Sequence, residues 1–264
     1  MDFSFSNALL LVERLIALAV LVQAGELLIL RNSVSNEGVW SWEVLRREFE
    51  IFSKPTQRLL SAVLAYPNFV FLLLVQFGSA LVTLFISHPA LILLMLVCHV
   101  LVCLRWRGVF NGGSDYMTTV VLAALLIAQL FQGNELVEKG CLIYIAIQTI
   151  SSFFIAGVVK IGRNNWRTGA ALRGFLRSSV YQNPAALDKL VNRSQLLIYA
   201  SWTVIIFELL FPLSLLNQTV CLAFISLALL FHLANVYMFG LNRFLYAWGA
   251  AYPALYYCSG FVGT

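Results

Sequence analysis

Apolar residues are arranged along this chain in long runs that short polar segments separate. A membrane-spanning helix must cross about 30 Å of hydrocarbon, which takes roughly 20 residues. The runs of suitable length cover residues 8–30, 66–86, 89–104, 116–132, 140–159, 195–216 and 219–240, and a weaker, aromatic run covers 244–262. The pattern therefore predicts an all-α integral membrane protein, built as a bundle of seven or eight transmembrane helices.

Two of the connections between these runs are long, and they cover residues 31–65 and 160–194. Within the first, WSWEVLRREFEIF at 40–52 has apolar residues at helical spacing and charges on the opposite face. This pattern is typical of a helix that lies on the membrane surface. We expect one or two such interfacial helices and a single membrane domain over residues 1–264, with no soluble domain.

The composition supports this fold class. Hydrophobic residues make up 61% and charged residues 11% of the chain, and the mean hydropathy is +0.85. A soluble domain could not bury so much apolar surface. The net charge of +5 would suggest nucleic acid as a partner of a soluble protein, but the basic residues lie between apolar runs. Membrane lipids, and not nucleic acid, are the expected partners.

Five cysteines lie within or at the ends of the apolar runs, and none belongs to a Cys-x-x-Cys pair. This distribution predicts free, buried thiols and no metal site.

Basic residues also predict the orientation of the chain. Fifteen of its 17 lysine and arginine residues lie on alternate connections, and only Arg14 and Lys139 lie on the others. By the positive-inside rule, the connections at 31–65, 105–115 and 160–194 are predicted to be cytoplasmic. The N-terminus is then predicted to be outside.

Lys160 ends the fifth run, in the stretch FFIAGVVKIGRNNWRTG at 153–169. It could extend its ammonium group to the headgroups, with Trp166 as an interfacial anchor. It could instead point into the bundle, where desolvation would disfavour its charged form and allow it to act as a base. Helical periodicity does not distinguish the two. Gly157 and Gly162 favour the second, since glycines allow a neighbouring backbone to approach closely.

Further ionisable residues at membrane depth include His99, Asp115, Glu208 and His232. By helix rise, His232 lies roughly 21 Å from the turn at 217–218 and thus in the same half of the membrane as Lys160. His99 and Asp115 are placed in that half too, and Glu208 nearer the midplane. Such residues are candidates for a functional site. Each also has a structural interpretation. His99 could be an interfacial histidine and Asp115 a helix N-cap, while Glu208 could be a buried, protonated carboxyl group and His232 could form a hydrogen bond between helices.

Two segments resemble a known family. FFIAGVVKIGRNNWRTGAAL is similar to the lysine-bearing signature of the membrane domain of vitamin K-dependent gamma-carboxylase. FHLANVYMFGLNRFLYAWGAAYP, at 231–253, resembles the F-H-x-x-N segment of the same family and the aromatic run after it. Residues 5–255 are on this basis identified as similar to the horizontally transferred transmembrane (HTTM) domain family.

The resemblance implies that Lys160 is a base acting on a reduced, vitamin K-like quinone, with His232 and Asn235 as polar groups of the pocket. Two features depart from the carboxylase. Its large soluble region has no counterpart here, so a separate subunit would have to supply the substrate, and the family's histidine ahead of the corresponding span has no match in FNGGSDYM at 110–117.

Three functional hypotheses remain open at this point. The first is a quinol-dependent oxygenase or carboxylase-like lyase that uses Lys160 as base. The second is a non-catalytic membrane factor for maturation or export of a partner peptide or protein, in which the polar residues only hold helices together. The third is a haem protein with His99 and His232 as axial ligands.

Overall fold

The computed structural model of the chain describes residues 3–106, 112–178, 191 and 193–261. Within these residues all regular secondary structure is helical. The α-helices are α1 Phe5–Ile29, α2 Trp42–Leu45, α3 Lys54–Leu64, α4 Asn68–Thr83, α5 Pro89–Arg105, α6 Gly113–Leu130, α7 Glu135–Ile161, α8 Asn164–Arg167, α9 Ala170–Arg177, α10 Ser194–Leu210, α11 Gln218–Phe239 and α12 Asn242–Ser259. Short 3-10 helices follow α2 (Arg46–Phe49) and α10 (Phe211–Leu215).

Each predicted apolar run coincides with a helix, which confirms the all-α membrane fold. Among the described residues, five helices are long and apolar enough to cross a membrane: α1, α6, α7, α11, and α10 with its 3-10 extension. The pair α3 and α4, bent by 65°, would make a sixth if it is one span, and α5 is shorter, with 17 residues. The count of seven or eight spans stays a prediction.

The region before α4 differs from the expectation. The predicted surface helix at 40–52 is helical only from Trp42 to Phe49, and a second amphipathic helix, α3, follows. The span predicted at 66–86 begins at Asn68. Pro67 explains this start, because proline has no N–H to continue a helix and disfavours helical geometry in the residue before it. The chain therefore bends between α3 and α4.

The fold divides into two compact units. The amino-terminal unit comprises Ser4–Cys141, and the carboxy-terminal unit comprises Leu142–Thr264 together with Met1–Phe3. In the amino-terminal unit α4 packs against α1 and α5, and α5 packs against α6. In the carboxy-terminal unit α11 packs against α12, and α10 contacts α8 and α9. The expectation of a single domain over residues 1–264 stays a prediction.

Helix α12 corresponds to the weakest of the predicted runs and is nevertheless extensively buried. Ala250, Ala251 and Ala254 are fully buried, and the indole N–H of Trp248 donates to Ser152 Oγ at 3.0 Å. Interior helices of membrane proteins often carry small and hydrogen-bonding residues, because lipid does not drive apolar groups inward and close packing favours small side chains. The weak apolar character of α12 is therefore consistent with its position in the interior of the fold.

Candidate functional site

Lys160 and Glu208 form a buried ion pair in the carboxy-terminal unit. Lys160 lies in the last turn of α7 and Glu208 in the last turn of α10. The Lys160 ammonium nitrogen, Nζ, lies 2.6 Å from both carboxylate oxygens of Glu208. The side chains are 17% and 3% exposed. The geometry thus agrees with the expectation that Lys160 points inward, towards a polar group of a later helix.

Gly157 explains how the two helices come so close. A Cβ atom at this position would lie 2.8 Å from the backbone nitrogen of Leu209 and 3.1 Å from the carbonyl carbon of Glu208. Only glycine leaves room for this approach. Gly162 does not have the same role, so that part of the expectation was wrong: its added Cβ would meet only carbonyl oxygens of α7 itself, and the residue lies just beyond the end of that helix.

Trp166 lies beside the ion pair. The Lys160 nitrogen is 5.1 Å from the centroid of its ring, a distance that allows a cation–π contact. Hydrogen bonds attach α8 to α10, because Ser201 Oγ donates to the Trp166 carbonyl and the Trp202 indole N–H donates to the Arg167 carbonyl. The short helix α8 thereby positions the Trp166 ring over the ammonium group.

Gly169, which follows α8, is a second position that requires glycine. Its φ of +73° is in the left-handed region, and an added Cβ would lie 2.9 Å from the backbone of Leu197 and Ile198. The segment from Trp166 to Gly169 is therefore packed directly on α10.

A cavity of about 500 Å³ adjoins Lys160. Its polar or amphipathic lining residues are Lys160, Asn235 and Trp166. The other lining residues are apolar, and they are Leu172, Phe175, Leu176, Ala200, Val204, Phe231, Ala234, Met238, Phe239, Leu241 and Phe244. Glu208 is not among the lining residues, whereas its partner Lys160 is. The volume is within the range of small-molecule sites, about 300–1,000 Å³.

His232 lies on α11 behind this cavity. It is 2% exposed, and neither ring nitrogen has a hydrogen-bond partner among the described residues. Aromatic rings surround it, with centroids 5.3–6.4 Å from its own: Phe153, Phe231, Phe244 and Trp248. Phe231 and Phe244 also line the cavity, so they contact both it and the imidazole. His232 contacts the wall of the cavity and does not line it.

His99 and Asp115 form a different cluster, in the amino-terminal unit. His99 is fully buried; its Nδ1 lies 3.0 Å from Gln23 Oε1 and its Nε2 lies 3.0 Å from the main-chain oxygen of Asp115. The Gln23 amide donates to the Asp115 carboxylate at 3.3 Å. The predicted polar residues thus fall into two groups, one in each unit. The haem hypothesis stays a prediction.

Sequence reasoning missed several members of both groups. The apolar lining of the cavity carries no signal in a chain where most residues are apolar. The pairing of Lys160 with Glu208 had a signal, because a carboxyl group at that depth needs a partner. A signal in the sequence was also present for Gln23, Gln76 and Cys103. The two glutamines interrupt apolar runs, and Cys103 follows His99 by four residues, on the same helix face.

Thiol burial follows the prediction for all but one residue. None of the five cysteines, all of which lie among the described residues, forms a disulfide, and Cys98, Cys141, Cys221 and Cys258 are buried. Cys103 is half-buried.

Comparison with known proteins identifies the family. The model of the HTTM domain matches residues 126–259, which is half of the chain. This stretch contains the Lys160 segment, Glu208 and the FHLAN segment at 231–235. The searches of curated proteins and of solved structures found no match. The helical membrane fold and this match agree with the resemblance seen in the sequence, and the chain belongs to the HTTM domain family.

Proposed function

We propose that the carboxy-terminal unit binds a reduced quinone, or a lipid of similar shape, in the cavity beside Lys160 and removes a proton from its hydroxyl group. One observation carries the proposal: the lysine of a buried ion pair lines a cavity whose other lining residues, apart from Asn235, are apolar or aromatic. An ion pair that served only to join two helices would not need a cavity next to its cation.

The cavity lining fits an aromatic ligand with few polar groups. Aromatic and aliphatic side chains would hold a ring system and the start of an isoprenoid tail, and the Asn235 amide and Lys160 would bind oxygen atoms. A reduced quinone has this chemistry, since it carries hydroxyl groups on an aromatic ring. When bound, it would supply redox chemistry that the side chains lining the cavity lack.

The ion pair could accept a proton as one unit. In the pair, the Lys160 nitrogen already carries three protons and cannot take another. Transfer of one of them to a Glu208 oxygen, 2.6 Å away, gives a neutral amine and a carboxylic acid. The amine can then accept the hydroxyl proton of the ligand. The net result is an ammonium group beside the ligand anion, with the original proton held on Glu208.

Lys160 is the necessary intermediate in this transfer, because Glu208 is 3% exposed and does not line the cavity. Lys160→Arg tests the step: arginine keeps the positive charge and can still pair with Glu208, but it does not deprotonate in proteins. We expect this variant to insert and fold normally and to lose quinol consumption, followed as oxygen uptake with a reduced naphthoquinone. Wild-type rates in the variant would exclude Lys160 as base.

A second pair of variants tests binding independently of proton transfer. Ala200→Phe places a ring in the cavity and should abolish binding of the naphthoquinol, measured by quenching of tryptophan fluorescence. Ala223→Phe is the matched control, since Ala223 is exposed on α11 and does not line the cavity. Unchanged binding in Ala200→Phe would exclude this cavity as the site.

The alternative function is a non-catalytic membrane factor that assists a partner peptide or protein. It is favoured by the fact that the ion pair joins α7 to α10, which is also a structural role. In that case Lys160→Arg would preserve function in the cell, because arginine maintains the pair. For both functions we propose that a separate subunit acts as partner of this chain.

We further propose the orientation that the basic residues predict, with the N-terminus outside and the connection at 160–194 in the cytoplasm. Ser178 lies at the end of α9 in this connection. A membrane-impermeant maleimide added to intact cells should fail to label Ser178→Cys and should label it after permeabilisation. Labelling of intact cells would reverse the orientation.

A further inference from the structure

The amino-terminal unit carries a basic cleft between α2, with its 3-10 extension, and α3. The cleft has a volume of about 900 Å³. Four basic and two acidic side chains line it: Arg46, Arg47, Lys54, Arg58, Glu43 and Glu50. Arg46 pairs with Glu43 at 2.9 Å. Among the described residues no ion pair involves Arg47, Lys54 or Arg58. The cleft therefore keeps an excess of positive charge, which suits an anionic group.

Hydrogen bonds and aromatic packing fix the walls of this cleft. The Trp42 indole N–H donates to Ser61 Oγ at 3.0 Å, which joins α2 to α3. The Gln57 amide donates to the main-chain oxygen of Phe52 at 2.8 Å and so holds the turn that leads into α3. Trp42 and Phe49, which also line the cleft, are buried, with ring centroids 5.5 Å apart. The shape of the cleft is thus set by contacts within the protein.

An apolar groove of about 250 Å³ adjoins the basic cleft, since Ala62 lines both. The other lining residues of the groove belong to α3, α4 and α5, and they are Val63, Asn68, Phe71, Leu72, Val75 and Cys98. The four from α4 lie on one face of the helix, so the groove follows it for about 10 Å. The Asn68 amide donates to the Ala62 main-chain oxygen at 2.7 Å, across the bend between α3 and α4. This bend brings the groove next to the cleft.

Exposed apolar side chains around the cleft indicate that it lies at the membrane surface. Val44, Ile51 and Leu59 are all exposed, although each neighbours charged residues of the cleft. Amphipathic segments of this kind lie in the boundary between headgroups and acyl chains. A phospholipid has the same division, because its charged headgroup lies in this boundary and its acyl chains lie in the hydrocarbon. A soluble phosphate compound could use the cleft but not the groove.

We propose that the cleft and the groove together bind one anionic phospholipid. Its headgroup phosphate is held by Arg47, Lys54 and Arg58, and one acyl chain lies along α4. Arginine can bind phosphate oxygens through two N–H groups at once, and lysine binds them as a point charge. The site lies outside residues 126–259, which match the HTTM domain. The proposal goes beyond the function proposed for the carboxy-terminal unit and does not depend on it.

Lipid titration of the delipidated full chain in detergent, followed by native mass spectrometry, tests the headgroup site. The first dioleoylphosphatidylglycerol should bind about tenfold or more tightly than dioleoylphosphatidylcholine, which has the same acyl chains and no net charge. Arg47→Gln with Arg58→Gln should remove this preference. The matched control is Arg163→Gln with Arg167→Gln, which removes the same charge from exposed arginines of the carboxy-terminal unit and should bind as wild type. Equal loss in the two double variants would show general attraction to charge and overturn the site.

The groove is tested separately. Ala62→Phe places a ring where the cleft meets the groove and should abolish binding of the phosphatidylglycerol, whereas Ala223→Phe, at an exposed position of α11, should not. Glycerol 3-phosphate in large excess should fail to displace the lipid from the wild-type protein. Its displacement, or unchanged binding in Ala62→Phe, would overturn the assignment to a lipid.

A readout on the unmodified chain covers the case in which a variant fails to fold. Phosphatidylglycerol with a photoreactive diazirine in its acyl chain should crosslink to the wild-type peptide that contains Phe71 and Val75, as identified by mass spectrometry. Crosslinks confined to other peptides would place the bound lipid elsewhere and refute the proposal.

Discussion

Arg105 and Lys160 are alike in sequence and different in structure. Each is a basic residue in the last turn of an apolar helix, α5 or α7. Arg105 is 1% exposed, and its guanidinium group donates to the main-chain oxygens of Leu64, Val34 and Trp40. Its central carbon also lies 4.3 Å from the ring centroid of Phe69. This cation connects the long loop after α1 to the end of α3.

Lys160 has instead a single carboxylate partner and a cavity on its other side. This difference is the reason why the proposed chemistry is assigned to Lys160 and not to Arg105. Main-chain carbonyl groups cannot take up a proton under ordinary conditions and arginine does not release one, so the Arg105 site has one charge state. In the proposed function the lysine and glutamate exchange a proton, and the cavity would give a ligand access to the nitrogen. The next three predictions test this contrast.

The largest effect is expected for Arg105→Ala. It removes three charge-assisted hydrogen bonds, each worth roughly 1.5–3 kcal/mol, and leaves their acceptors buried. We expect the free energy of unfolding, measured by chemical unfolding in mixed micelles, to fall by about 4 kcal/mol or more. Arg46→Ala should change it by less than about 1 kcal/mol, because Arg46 pairs with Glu43 on the surface. Equal effects at the two positions would refute a structural role for Arg105.

Glu208→Gln is expected to have a smaller but still large effect. It leaves the Lys160 ammonium group without its buried counter-charge, and breaking a buried pair costs about 3–5 kcal/mol. The double change Lys160→Met with Glu208→Leu should recover most of this loss, because no buried charge remains. Glu135→Gln, which breaks the exposed pair with Lys139, is the control and should be nearly neutral. A double variant less stable than Glu208→Gln would contradict the argument.

Gly157→Ala is expected to have the smallest effect of the three. The added methyl group would overlap the backbone of α10, and such overpacking costs about 1–3 kcal/mol. It should also weaken quinol consumption by moving Glu208 away from Lys160. Gly140→Ala, on the same helix where a Cβ meets open space, should leave stability unchanged or raise it by up to about 1 kcal/mol. If the two alanine variants behave alike, close packing at Gly157 does not position the pair.

Local features of the fold were predictable from the sequence to different degrees. The apolar runs located the helices, because hydropathy over about 20 residues is a local property. A second interfacial helix was allowed for, but the position of α3 was not predicted. The bend at Pro67 was missed, although the proline is visible in the sequence, since the apolar run alone set the predicted start of the span. The burial of α12 was also missed, because an interior helix of a membrane protein need not be the most apolar one.

The candidate site was only partly predictable, because local sequence patterns do not show which helices are neighbours. Lys160 and Glu208 were recognised as ionisable residues in apolar runs, Trp166 as an interfacial anchor, and Asn235 from the family resemblance. The structure brings these residues to one place. His99 and Asp115 were grouped with them by depth. Depth is one coordinate of three, however, and it cannot assign a residue to a particular set of neighbouring helices.

The sequence by itself determined that this is a membrane protein, where its helices lie and to which family it belongs. Each of these follows from residue type and from the order of residues over short distances. Only the tertiary structure decided which residues meet. Lys160 and Glu208 are 48 positions apart, and Gln23 and His99 are 76 apart. Contacts at such separations depend on how helices pack, and packing depends on the shapes of many side chains together. A single small residue, Gly157, brings α10 against α7 and thereby pairs the lysine with the glutamate.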